Sequence, residues 1–125
     1  MKGELYKGGG FTWGKKQSRI CYVYLIHCVG SSFYKIGISI QPCKRLKDLQ
    51  AANPFDLQLL DVTEHKSVNE ALKIESGLHM MFADKCVRNE WFNLEHDDVM
   101  LAKKRMQPVL PPPPIEYKPS IYDVY

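Results

Sequence analysis

A β-branched and aromatic run, ICYVYLIHCV (20–29), is followed by Gly30-Ser31 and then by FYKIGIS (33–39). Two such runs around a Gly/Ser turn fold as a β-hairpin, and this pairing constrains the rest of the chain. With Gly30-Ser31 as a two-residue turn, Val29 pairs with Ser32, Ile26 with Lys35 and Tyr24 with Gly37. Val23, Leu25, Ile36 and Ile38 then share an apolar face suited to a core. The opposite face carries Tyr22, Tyr24, Ile26, Lys35 and Gly37. Tyr24 and Lys35 become diagonal neighbours at roughly 7–8 Å between backbones. A three-residue loop would shift the register and place them on opposite faces. Gly37, across from Tyr24, leaves an uncovered patch where a ligand can approach the sheet. Taken singly, Tyr24 also fits an ordinary strand tyrosine and Lys35 a solvated edge residue.

Downstream, QPCKRLKDLQAAN (41–53) places Pro42 near a helix start, Leu46 and Leu49 inward, and Asn53-Pro54 at the stop. LQLLDVT (57–63) reads as a third strand. Residues 67–83 form the main helix, with Ala71, Ile74, Leu78, Met81 and Phe82 as its buried stripe. A short strand or turn, EWFNL (90–94), precedes a last helix opened by Asp97 or Asp98 and ending near Gln107. The order ββαβα with a small antiparallel sheet of about three strands predicts an α+β domain flanked by helices.

At 125 residues, 45% hydrophobic and 25% charged, the chain suits one domain with its own core. Three parts are expected: a basic arm (1–18), a folded domain (19–107) and a proline-rich tail (108–125). No apolar run reaches the ~18 residues of a membrane span, and the N-terminus lacks the apolar stretch of a secretory signal. The expectation is a cytoplasmic protein without membrane contact. The formal charge of +3 is unevenly spread: residues 1–19 carry +4, residues 20–107 are balanced, and the remainder carries −1. A mobile basic arm suits polyanions, because each neutralised phosphate releases a counterion, and on charge alone it reads equally as a solubilising leader.

None of the four cysteines lies in a C-x-x-C pair, and Cys21 and Cys28, seven apart on one strand, face opposite sides. Reduced thiols serving as small hydrophobes are the expectation. The alternative is a zinc ion held by Cys86 with His65 or His96.

On the main helix, taking 100° per residue from Ala71, Glu75 falls at about 40° and His79 at about 80°, beside the buried stripe. A carboxylate held there needs an arginine, a hydrogen-bond donor or a metal. Arg45, flanked by Lys44 and Lys47 on the short helix, is the natural cationic neighbour. His79, one turn after Glu75, can share an ion with it or bond a phosphate.

These residues carry a resemblance. Tyr22-Val23-Tyr24 and, after ten residues, Lys35-Ile36-Gly37 resemble the two tripeptides of the GIY-YIG endonuclease superfamily. The longer string YVYLI…FYKIGIS…KRLKDL…ESGLHMMF…NEWF is similar to its bacteriophage-type DNA-binding branch, over about residues 20–94. Tyr22 replaces the first glycine and Lys35 the second tyrosine. Asn93 is a loose match to the late asparagine, and Leu49 stands where some members have a histidine.

The resemblance implies a GIY-YIG-like fold and DNA hydrolysis with Mg2+ or Mn2+. Glu75 would bind the metal and Arg45 would fork the phosphate. Tyr24 would position or deprotonate water, with Lys35 lowering its pKa or taking the proton through it. His79 would assist, and Tyr22, Gly37, Lys44 and Lys47 would line the substrate. A homodimer would cut both strands, whereas a monomer would nick. The alternatives are a non-catalytic DNA-binding module of the same fold, or an adaptor docking through Pro111–Pro114.

Overall fold

The computed structural model describes residues 19–108, so the arm and nearly all of the proline-rich tail lie outside the described residues. Strands β1 (Cys21–Cys28) and β2 (Phe33–Ser39) lead into helix α1 (Pro42–Ala51), strand β3 (Leu57–His65) and helix α2 (Val68–Met81). A 3-10 turn (Ala83–Lys85), strands β4 (Cys86–Arg88) and β5 (Trp91–Asn93), and helix α3 (His96–Met106) complete the order. The α+β class is as expected. The strand count is not: the sheet has five strands in the order β3-β1-β2-β5-β4, and every pairing is antiparallel. The two extra strands have three residues each, too short for an alternating pattern to declare itself, and they exist because β5 pairs with the outer edge of β2.

The β1–β2 register is the predicted one, with Ile26 opposite Lys35 and Tyr24 opposite Gly37. The turn differs. The Ser31 amide donates to the Cys28 carbonyl at 3.1 Å and Gly30 takes a φ of +87°, a conformation open to glycine. The loop therefore spans residues 29–32 rather than two residues. Adding one residue to each arm of the loop leaves the register and the faces unchanged.

Val23, Leu25 and Ile36 pack against Ala71, Leu78 and Phe82 of α2 and its C-cap, with Phe92, Leu94, Val99, Ala102 and Met106 closing the core. Ile38, Ile74 and Met81 border it. Each fully buried side chain of this kind contributes about 1.5–3 kcal/mol. Phe82 and Phe92 meet edge-on at 6.4 Å. The other face of β1 is also sealed, with Tyr24 and Ile26 buried.

Ser67 caps α2 by accepting the Glu70 amide at 3.1 Å. At α3 the cap is Glu95, ahead of the expected Asp97 or Asp98, and Asp98 reaches back to accept the Glu95 amide at 3.0 Å.

In its His65 form the zinc alternative fails on topology. His65 lies on β3 and Cys86 on β4, at opposite edges of the sheet, and His65 Nε2 is bonded to Thr63 Oγ1 at 2.8 Å. Among the described residues, no helix is long and apolar enough to cross a membrane.

Candidate active site

Strand β5 pairs with β2 only over Phe33, Tyr34 and Lys35. The Glu90 carbonyl then accepts the Ile36 amide at 3.1 Å and the pairing stops. Past this point β2 runs on through Gly37 to Ser39 beside a notch in the sheet edge. His79 reaches the notch from α2 and donates from Nε2 to the Ile36 carbonyl at 2.9 Å. A carbonyl only accepts, so Nε2 carries the hydrogen. Phe92 holds the ring from the core side, its centroid 5.0 Å away. His79 thus secures the strand edge, and this nitrogen is not free for metal or phosphate as expected.

Lys35 is 6% exposed, and its ammonium donates to Glu90 Oε1. It is therefore neither a solvated edge residue nor a lone cation. Glu90 is half-exposed, so the pair is buried at its cationic end and open at its anionic end.

Gly37 does not expose a patch of sheet. A Cβ there would lie 2.7 Å from Tyr24 Cζ, closer still to the phenolic oxygen, and 3.0 Å from Glu90 Oε1. The Tyr24 ring fills the space that a side chain would take, so glycine is required for close approach and not for its backbone angles. Tyr24 Oη and Glu90 Oε1 are thereby brought to one point, and Lys35 Nζ joins them through Glu90.

Glu75, half-buried on α2, completes the group. Burial raises its carboxyl above the usual glutamate range, and the negative charge of Glu90 raises it further. His79 and Lys35 act in the opposite sense. Its charged neighbours are thus Glu90, His79 and Lys35, and Arg45, the expected partner, is not among them. Arg45 is exposed on α1 with Lys44 and Lys47, and Lys44 is engaged by Asp48 at 3.3 Å. Tyr22 is half-buried opposite Ser39, and Asn93 accepts from Ser32 Oγ at 2.6 Å away from the notch.

The structure therefore assembles Tyr24, Lys35, Gly37, Glu75 and His79, and leaves the three basic residues of α1 at the surface. It adds Glu90, which sequence reasoning missed. The signal was present in Glu90-Trp91-Phe92: a carboxylate just before a short amphipathic strand sits at a sheet edge. Nothing local indicates which edge.

The family model for the T5orf172 domain matches residues 21–107, which include every one of these groups. No curated protein and no solved structure gives a significant match.

Proposed function

The chain belongs to the T5orf172 domain family, and from that premise we propose that it is a divalent-metal-dependent endonuclease cutting DNA phosphodiesters on a GIY-YIG-like core. The T5orf172 domain is associated with phage-type nuclease and GIY-YIG-like folds. The observation that carries the reading is the meeting of a phenol, an ammonium and two carboxylates where the β2–β5 pairing ends.

The donor set fits a hard cation. Mg2+ uses one or two protein carboxylates and fills its remaining positions with water and substrate phosphate. Glu75 and Glu90 are two such groups, and the charge on Glu90 opposes the ionisation of Glu75. Among the described residues, no group of three or more His, Cys, Asp or Glu side chains is arranged to hold a metal, so these two would be the protein's share. When bound, the ion polarises the phosphate and neutralises charge at the leaving oxygen.

The chain's own residues do the rest. Arg45, exposed on α1, grips phosphate oxygens with its planar fork. Tyr24, fixed over Gly37, orients the attacking water by hydrogen bonding. Lys35 is committed as a donor to Glu90, which disfavours it as the proton acceptor. Its charge stabilises negative charge building up beside it. His79 positions the Gly37 segment by holding the Ile36 carbonyl.

Supercoiled plasmid incubated with Mg2+ or Mn2+ tests the proposal. The native chain should nick it, whereas Glu75→Ala should not, and Tyr24→Phe should be slower by roughly 100-fold or more. Equal nicking by the native chain and Glu75→Ala would refute the assignment. Metal-independent binding that survives Glu75→Ala, with no nicking, would identify a DNA-binding module instead.

A further inference from the structure

A second concavity, of about 320 Å3, lies between the α1–β3 loop and the β4–β5 hairpin, lined by Cys28, Phe33, Asn53, Phe55, Arg88 and Trp91. Strand alternation puts Phe33, Trp91 and Arg88 on the sheet face of Lys35 and Tyr24. Phe33 precedes Lys35 by two residues, Trp91 is paired directly with Lys35, and Arg88 with Trp91. Phe33 and Lys35 are separated by roughly 7 Å of strand. Phe33 is 40% exposed and Phe55 62%. Three aromatic side chains and the exposed Arg88 thus line one concavity beside the candidate site.

We propose that this cleft is a subsite for an unpaired nucleobase of the substrate strand, which directs the enzyme to single-stranded or distorted DNA. The inference rests on the nuclease reading above and adds a substrate class to it. Every base has a π-face, so Trp91, Phe33 and Phe55 can stack on it without regard to sequence, and Arg88 adds attraction for the polyanion. The volume lies at the lower end for small-ligand sites, enough for one flat heterocycle and too narrow for a duplex. Asn53 Oδ1 already accepts the Phe55 amide at 2.8 Å, which leaves its NH2 free to donate to a carbonyl or ring nitrogen of the base. In regular duplex the bases are stacked and paired, so none can enter without being extruded.

The chain has two tryptophans, and Trp13→Phe leaves Trp91 as the sole tryptophan, excited selectively over the tyrosines at the red edge of the absorption band. That variant is titrated, without metal, with a 12-nucleotide single strand, the matching duplex and an abasic strand of equal length and charge. The intact strand should quench Trp91 saturably and bind roughly 5- to 150-fold more tightly than the abasic one. Trp91→Ala should abolish that preference and Trp91→Phe should retain most of it, which guards against misfolding of the alanine variant. Equal affinity for intact and abasic strands overturns the proposal. So does a shift in Trp91 emission, without nucleic acid, on deleting residues 109–125 or on dilution, because the tail or a second copy would then fill the cleft. Preference for intact strands without plasmid nicking supports the base subsite and sinks the nuclease. Nicking without that preference does the reverse.

Discussion

Glu75 is placed where burial and a second carboxylate both oppose its ionisation. Its folded-state value lies above the unfolded one, so the folded chain retains a proton that the unfolded chain has already lost. Stability therefore falls as pH rises from the ordinary glutamate range through the raised value. Glu75→Gln removes that penalty. The variant should melt higher than the native chain near about pH 7, with the gap closing by about pH 4. Mg2+ should raise the melting temperature of the native chain and not of the variant. Thermal melts across this range check both statements, and a variant less stable at neutral pH would contradict the first. At this scale the sequence was informative about Glu75, because helical spacing put a carboxylate beside an apolar stripe. It misled at Gly37, because an empty side-chain position in a strand does not reveal which neighbour will fill it. The Tyr24 ring does.

Helix α2 carries Glu75 and His79, and its start is set by Ser67 accepting the Glu70 amide. Ser67→Ala should cost about 0.5–2 kcal/mol, measurable by urea denaturation, because an orphan amide loses its partner. At the start of α3 the hydrogen bond from Lys85 is the main cause holding the Asp98 carboxyl below the usual range. Its contribution is present above the unfolded aspartate value and is lost as pH falls through the lowered one. Asp98→Asn should therefore destabilise at neutral pH and lose its effect in acid, as melts at the two extremes would show. The long elements were legible within about two residues, since each has several turns or alternations. The β4–β5 hairpin was only half legible. Three-residue strands have no period of their own, and their pairing energy comes from the edge of β2.

For the molecule as a whole, charge is concentrated outside the balanced core. Lys2, Lys7, Lys15 and Lys16 lie in residues 1–18, and on the proposed reading each phosphate that they neutralised would steepen the salt dependence of DNA binding. Removing residues 1–18 should reduce the slope of log K against log salt by up to about 3.6, with roughly 0.9 lost per contact. Fluorescence anisotropy at several salt concentrations measures it. An unchanged slope would confine the contacts to the domain.

The sequence by itself determined the α+β class, the hairpin register and the identity of most groups at the notch. These follow from periodicities of two and 3.6 residues, which any local window displays. Only the tertiary structure decided that Glu90 pairs with Lys35 and opposes Glu75, and that His79 holds a strand edge. Those outcomes depend on where β5 stops along β2, a long-range pairing whose register is written in no single segment.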